Sequence, residues 1–128
     1  MLHHRRVGTM VSRHPALLLL AAACAAATPL RLLSPDLEEV FFIGDLHADA
    51  ECARQWVERT GLVTFDKEDA GGAPTWAAGR ETTSAIVFMG DYVDKGTASR
   101  GVLDLVRTLT SSFPNNVVAL LGNHDLFM

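Results

Sequence analysis

Residues 85–96 read AIVFMGDYVDKG, an apolar run that passes directly into a polar loop bounded by two glycines. A short run of this kind, rich in β-branched and aromatic residues, is typical of a strand covered on both faces. The same pattern occurs twice more, as VFFIGDLH at residues 40–47 and as VVALLGNHD at residues 117–125. The chain therefore contains three predicted strands (40–43, 85–89 and 117–121), each followed by a polar loop.

The segments between these strands favour helices. Asp49 is suited to cap a helix that extends to about Thr60, and apolar residues at helical spacing predict a second helix from about Thr97 to Phe113. Residues 63–83 have no clear period, so we expect a surface excursion in which residues 75–76 are a candidate hairpin arm. This order of elements predicts right-handed crossovers and a parallel sheet, which is an α/β fold.

The first 27 residues have the character of a secretory signal peptide. Three arginines precede an apolar run of twelve residues, Ala16 to Ala27, which is shorter than the roughly 20 residues needed to cross a bilayer. We predict a signal peptide at 1–27, a linker at 28–39, a domain at 40–128 and no stable membrane span. The expected location is extracytoplasmic or lumenal, or a plastid reached through such a leader. A buried alanine-rich helix is the alternative.

Composition excludes some classes of function. The 128 residues carry a formal net charge of −4 at pH 7. Residues 1–27 contain three of the eleven basic residues and none of the fifteen acidic ones. The remaining chain is thus strongly acidic and lacks the basic surface that a nucleic-acid partner requires. Outside the leader Cys52 is the single cysteine, so no disulfide framework is predicted.

The three polar loops hold candidate metal ligands. Open α/β sheets bind ligands at the carboxyl ends of their strands, where these loops would meet. Asp45 and His47 lie two residues apart and could chelate one cation, Asp91 could bridge that cation to a second, and Asn123 offers an amide oxygen. Oxygen donors mixed with imidazole suit divalent metals. Turn polarity explains any one of these residues, but not their presence in all three loops.

Two cations about 3.5–4 Å apart can hold a shared hydroxide and clamp the oxygens of a phosphoryl group in line. Beside them, His124 is the candidate general acid for the departing alkoxide, and Asp94 is its candidate carboxylate partner. Lys95 offers a positive charge to a phosphate oxygen, and Asn123 is a second candidate for phosphate contact. For Asp94 and Lys95, a surface ion pair is the competing interpretation.

Taken together, the three loops resemble the signature set of the calcineurin-like metallophosphoesterases over about residues 40–126. Residues 91–94 resemble the phosphoprotein (Ser/Thr) phosphatase branch, whose usual pattern is Gly-Asp-x-His-Gly, Gly-Asp-x-Val-Asp-Arg-Gly and Gly-Asn-His-Glu. The Shewanella-like phosphatases are a candidate sub-branch. The resemblance implies the N-terminal βαβαβ half of a four-layer α/β/β/α sandwich.

The resemblance also implies roles for individual residues. Asp45, His47 and Asp91 would bind one metal, and Asp91 and Asn123 the other. His124 and Asp94 would form the proton-donating pair. The cofactors would be two ions of manganese, iron or zinc.

Four departures from the family pattern stand out. Ala48 replaces glycine, Lys95 replaces an arginine that grips phosphate, and Asp125 replaces glutamate. The family also takes further histidine ligands from later strands, which residues 1–128 do not supply. We therefore expect an N-terminal fragment with an incomplete metal site, an unpaired sheet edge and little or no activity by itself.

The sequence leaves three functions open. The first is a metallophosphatase that hydrolyses phosphomonoesters, most simply phosphoserine or phosphothreonine, with a phosphorylated protein or a small phosphomonoester as substrate. The second keeps the chemistry but takes a nucleotide, such as a dinucleoside polyphosphate. The third is a truncated, non-catalytic protein that binds a metal or a partner.

Overall fold

A computed structural model describes residues 10–12, 36–66 and 73–126. Its main sheet has four strands in the spatial order β1-β2-β5-β6, and β3 and β4 form a separate hairpin. The strands are β1 (Met10–Ser12), β2 (Glu39–Ile43), β3 (Val63–Phe65), β4 (Pro74–Trp76), β5 (Ser84–Phe88) and β6 (Val117–Ala119). The helices are α1 (Ala50–Arg59), α2 (Ser99–Ser112) and α3 (Asn123–Leu126).

The three predicted strands form the parallel part of the sheet, which confirms the α/β prediction. β5 lies at the centre, with Ile43 of β2 opposite Phe88 on one side and Val118 of β6 opposite Val87 on the other. All five residues of β5 are buried, as expected of a strand covered on both faces. The carboxyl ends of all three strands therefore lie at the same edge of the sheet.

The outer strand β1 was not predicted. It pairs antiparallel with β2, and Met10 lies opposite Phe42. It falls within the predicted signal peptide, and the rest of that segment lies outside the described residues, so the signal peptide stays a prediction. None of the helices in the described part of the chain has the length and apolar character needed to span a bilayer.

The helix α1 begins where the sequence predicts. The Asp49 carboxylate accepts a hydrogen bond from the backbone N–H of Cys52 at 3.0 Å, which is the usual side-chain cap. Ala53 and Val57 on its inner face are fully buried. Gly61, with φ of 70°, follows its last turn, as a left-handed helix stop should.

The helix α2 and the sheet enclose the main core. The predicted apolar stripe is present: Val102, Val106 and Leu109 are buried. The helix begins at Ser99 rather than at Thr97, because the preceding loop continues to residue 98. A second apolar cluster, built on Val40, Ala85 and Val87, accounts for the burial of the other strand residues.

Two predictions about the connections need correction. Strand β6 ends at Ala119 rather than at Leu121, because Leu121 is already at the exposed edge, with 67% of its surface accessible. The predicted surface excursion does contain the hairpin β3-β4, but Val63 and Trp76 are buried in the main core. Side chains of a strand alternate between its two faces, so Val63 and Phe65 of β3 are buried while the residue between them is exposed. Trp76 therefore serves packing.

Substitution of a buried and of an exposed leucine of α2 tests which face of the helix packs against the core. Replacing Leu109, which is fully buried, with alanine should lower the free energy of unfolding by about 2–5 kcal/mol, because the cavity left behind adds to the lost apolar transfer. Leu103→Ala is the matched control, since that side chain is 41% exposed on the same helix. Urea unfolding followed by circular dichroism measures both. Equal losses would contradict the assigned inner face of α2.

Candidate metal and phosphate site

The polar loops that follow β2, β5 and β6 meet at the carboxyl edge of the sheet. They line a cavity of about 180 Å³. The lining residues are Gly44, Asp45, Met89, Gly90, Asp91, Gly122 and Asn123. The convergence that the sequence predicts is therefore present, and Asp45, Asp91 and Asn123 share one cavity.

Glycine permits the closest approach between these loops. Gly90 has a φ of 89°, and a Cβ atom there would collide with the backbone of Gly122. A Cβ on Gly122 would in turn strike the Asp91 carboxylate and lie 2.5 Å from the Asp91 backbone nitrogen. Real Cβ atoms almost never lie closer than 3.0 Å to another heavy atom, and the contacts at both glycines would be closer than that. The loops after β5 and β6 can therefore touch only because both positions lack a side chain.

The first two loops are also held in strained backbone conformations. Six residues other than glycine have φ between 43° and 65°. They are Asp45, His47, Ala48, Asp91, Asp94 and Lys95. Aspartate and histidine tolerate this region better than alanine or lysine do. Strain of this kind persists where the surroundings fix the backbone, and it often marks functional sites.

Backbone hydrogen bonds fix these two loops to each other. The N–H of His47 donates to the carbonyl of Asp91, and the N–H of Ala48 donates to the carbonyl of Tyr92, both at 2.8 Å. The parallel pairing of β2 and β5 thus continues into the loops. This pairing offsets the strain, and it sets the distance between the side chains that the two loops carry.

The imidazole of His47 lies at the centre of the side-chain cluster. Its Nε2 atom is 3.3 Å from the Asp45 carboxylate and 2.9 Å from Nζ of Lys95. Its Nδ1 atom is 3.4 Å from the Val93 carbonyl oxygen. The ring meets that of His124 edge-on, with centroids 5.1 Å apart. Asp45, Lys95 and His124 are thus all in contact with His47.

Three side chains of the loops lie close enough together to share a cation. One donor atom each from His47, Asp91 and His124 lies within 4.8 Å of the others. The sequence grouped His47 and Asp91 with Asp45 instead. Asp45 stays beside His47, but its side chain is 73% exposed. A carboxylate and two imidazoles are a donor set that fits manganese, iron or zinc.

The candidate acid and its carboxylate partner are in contact. Nδ1 of His124 lies 3.0 Å from Oδ2 of Asp94, and 28% of the His124 side chain is exposed. The geometry thus permits a proton-donating role, and the same imidazole also belongs to the possible metal triad. Asn123 lines the cavity with Asp91, whereas Lys95 reaches the cluster through His47.

By sequence, Asp125 is identified only as a replacement for the glutamate of the Gly-Asn-His-Glu pattern. In the structure its carboxylate accepts hydrogen bonds from three backbone N–H groups, those of Asp91, Tyr92 and Gly122, at 2.7 to 2.9 Å. It thus joins the loop after β5 to the loop after β6. Its place directly after Gly-Asn-His was the available signal, but the identity of its partners depends on tertiary structure.

Two other titratable groups are shifted by burial. Burial, and then the negative charge of Asp125, raise the pKa of Tyr92 above its usual range. The protonated hydroxyl donates to the Leu120 carbonyl at 2.5 Å, which ties the second loop to the end of β6. Burial, and then Asp49, also raise the pKa of the Cys52 thiol. A raised pKa makes this thiol less reactive at neutral pH.

Comparison with known proteins gives a family match. The profile of the family described as calcineurin-like phosphoesterase matches residues 39–128. A symmetrical bis(5'-nucleosyl)-tetraphosphatase of Nitrosospira multiformis is 32% identical over 89 residues, which are 70% of this chain and 25% of that protein. No solved structure gives a significant match.

Two further relatives are named as protein phosphatases. The serine/threonine-protein phosphatase 6 catalytic subunit of Caenorhabditis elegans is 40% identical over 47 residues, 37% of this chain and 14% of that protein. The serine/threonine-protein phosphatase sitA of Aspergillus fumigatus is 34% identical over 73 residues, 48% of this chain and 19% of that protein. The chain thus spans a quarter or less of the length of these three relatives.

The contact at Gly122 generates a prediction. In the full-length protein, Gly122→Ala should weaken Mn²⁺ binding at least about tenfold, because the new methyl group displaces the Asp91 carboxylate from the cluster. Electron paramagnetic resonance of free Mn²⁺ measures the affinity. Gly79→Ala is the control: Gly79 also has a positive φ, but a Cβ there meets nothing within 4 Å. The Gly79→Ala variant should lose stability through backbone strain alone and keep its Mn²⁺ affinity. Equal Mn²⁺ affinity in both variants would contradict the contact between residue 122 and the Asp91 carboxylate.

Proposed function

Because the chain belongs to the calcineurin-like phosphoesterase family, we propose that the full-length protein is a metal-dependent hydrolase of phosphate monoesters. Enzymes of this family generally use two metal ions. The observation that carries the proposal is the cluster of His47, Asp91 and His124, whose donor atoms lie within 4.8 Å of one another. Two of these residues, His47 and Asp91, have left-handed backbone angles. Carboxylate and imidazole donors at this spacing suit a divalent cation.

In this proposal the chain's own residues divide the work. Asp45, His47, Asp91 and Asn123 hold the metals, which when bound supply Lewis acidity toward a phosphate ester and make water more acidic. His124, Asp94 and Lys95 act on the substrate, and Asn123 has a second role there. His124, held by Asp94 at 3.0 Å, donates a proton to the leaving oxygen. Lys95 and Asn123 contact the phosphate. Lys95 supplies a single point charge, whereas an arginine would bind the phosphate through two parallel hydrogen bonds.

We propose phosphoserine and phosphothreonine in proteins as the substrate class. The support is the Asp91-Tyr92-Val93-Asp94 motif and the two relatives named as serine/threonine-protein phosphatases. A specific observation favours a second candidate, a dinucleoside tetraphosphate, whose hydrolysis breaks a phosphoric anhydride instead of a monoester. The relative with that activity in its name aligns with 70% of this chain, which is more than either phosphatase does.

Substrate assays of the full-length protein separate the two candidates. With Mn²⁺, the first predicts release of inorganic phosphate from a phosphoserine peptide and little cleavage of diadenosine tetraphosphate. The second predicts the reverse, with two molecules of ADP from symmetrical cleavage. A chelator should abolish either activity. Activity that persists after full removal of metal would overturn the proposal.

We also propose that the protein is exported through a secretory route. The support is the sequence of residues 1–27, where arginines precede a short apolar run. N-terminal sequencing of the mature protein, purified from its source, tests this proposal. A mature chain that retains residue 1 would refute cleavage.

The proton-donating role of His124 can be separated from a metal-binding role. His124→Asn should lower kcat for a phosphoserine peptide by about 10²–10⁴-fold, because the alkoxide then leaves without a proton. The loss should be much smaller for p-nitrophenyl phosphate, whose leaving group needs little protonation. The ratio of the two kcat values is the measurement.

Mn²⁺ titration of the same variant is the control. An acid that is not a ligand predicts little change in Mn²⁺ affinity. Equal losses on both substrates, together with lost Mn²⁺ binding, would assign His124 to the metal instead. Asp94→Asn should reproduce the kcat pattern of His124→Asn in weaker form, since Asp94 acts through the imidazole.

A further inference from the structure

Among the described residues, the hydrogen bonds of the Asp125 carboxylate all come from main-chain donors of the loops after β5 and β6. Its Oδ2 atom accepts from Asp91 N–H at 2.7 Å and from Gly122 N–H at 2.8 Å. Its Oδ1 atom accepts from Tyr92 N–H at 2.9 Å. Hydrogen bonds to an ionised acceptor are shorter and stronger than neutral ones. Two of the three, from Asp91 and Tyr92, link the second loop to the third, and the bond from Gly122 fixes the carboxylate within its own loop.

The link is reciprocal. While Asp125 accepts from the backbone of Asp91, the Asp91 carboxylate accepts from the backbone N–H of His124 at 3.1 Å. Two adjacent residues of the third loop are therefore bonded to one residue of the second loop, in opposite directions. The result fixes the Asp91 side chain as well as its backbone, which has a φ of 57°.

This link acts on the geometry of the possible metal triad together with the close approach of Gly90 and Gly122. Asp91 and His124 come from different loops and supply two of its three donors. No regular strand pairing joins the loops at this point, because β6 has ended at Ala119. The separation of the two donors therefore depends on the bonds that Asp125 and Asp91 accept.

We propose that Asp125 is a positioning residue for metal binding: it fixes the proposed ligand Asp91 against the third loop, which carries the proposed ligand Asn123. This inference rests on the proposed function, because it assumes that the cluster binds metal. Loss of residues that orient metal ligands typically lowers metal affinity by about 10–100-fold. We expect a decrease of that size when the Asp125 carboxylate is removed.

The test is Asp125→Asn in the full-length protein. The amide keeps the size of the side chain, but its NH₂ group cannot accept a hydrogen bond, so at least one of the three bonds is lost. Mn²⁺ affinity is measured by electron paramagnetic resonance below the unfolding temperature of every variant. The visible spectrum of bound Co²⁺ reports the ligand geometry. We expect about 10–100-fold weaker Mn²⁺ binding and an altered Co²⁺ spectrum.

Three further variants make the result specific. Asp104→Asn removes an equal charge from the exposed side of α2, where Asp104 pairs with Arg107, and should leave Mn²⁺ affinity unchanged. Tyr92→Phe deletes the bond to the Leu120 carbonyl and should lower the unfolding temperature with little change in Mn²⁺ affinity. Asp125→Glu retains the carboxylate and should recover most of the affinity that Asp125→Asn loses.

The outcomes are distinguishable. Equal Mn²⁺ affinity in Asp125→Asn and the wild type would overturn the positioning role, as would an equal loss in Tyr92→Phe at the same destabilisation. Wild-type protein that binds Mn²⁺ but cleaves no phosphoester would overturn the proposed function and leave this inference standing. Wild-type protein that binds no Mn²⁺ would overturn both.

Discussion

The contact between the backbones at Gly90 and Gly122 governs the geometry of the site. Parallel pairing brings β2, β5 and β6 to the same edge of the sheet, but neighbouring strands are about 4.8 Å apart. The His47, Asp91 and His124 donor atoms, which come from three different loops, lie within 4.8 Å of one another. The absence of a Cβ at both glycines allows the loops to meet, and the Asp91 carboxylate then lies against the start of the third loop.

Hydrogen bonds compensate for the conformational cost of this arrangement. Several loop residues have left-handed backbone angles, each of which costs of order 1–3 kcal/mol. The parallel pairing extends past Ile43 and Phe88 into the loops through the N–H groups of His47 and Ala48. On the other side, the carboxylates of Asp91 and Asp125 satisfy main-chain donors of the turns. The strained conformations are thus held from both sides.

Local pattern made the fold predictable. Apolar runs that end in glycine identified the three parallel strands, and the cap at Asp49 identified the start of α1. The convergence of Asp45, Asp91 and Asn123 followed from the strand order alone. The strand at Met10–Ser12 escaped prediction because three residues carry no periodicity. The burial of the β3-β4 hairpin also depends on distant partners, such as the ring of Phe113 against Trp76.

The site was predictable in composition but not in its internal contacts. Residue type and spacing identified His47, Asp91 and His124. They could not reveal which donors cluster most closely, because that depends on side-chain directions across three loops. Asp125 shows the same limit, since its partners are backbone groups whose directions are set by tertiary structure.

The left-handed conformation of Ala48 has an evolutionary consequence. Glycine at this position would relieve about 1–2 kcal/mol of backbone strain. It would also give up the burial of a methyl group, about 0.8 kcal/mol, and Ala48 is only 2% exposed. Glycine also loses more chain entropy on folding, so the opposing effects nearly cancel. Every alanine codon becomes a glycine codon by one base change, and that change at residue 48, beside the candidate metal site, should therefore alter the free energy of unfolding only slightly.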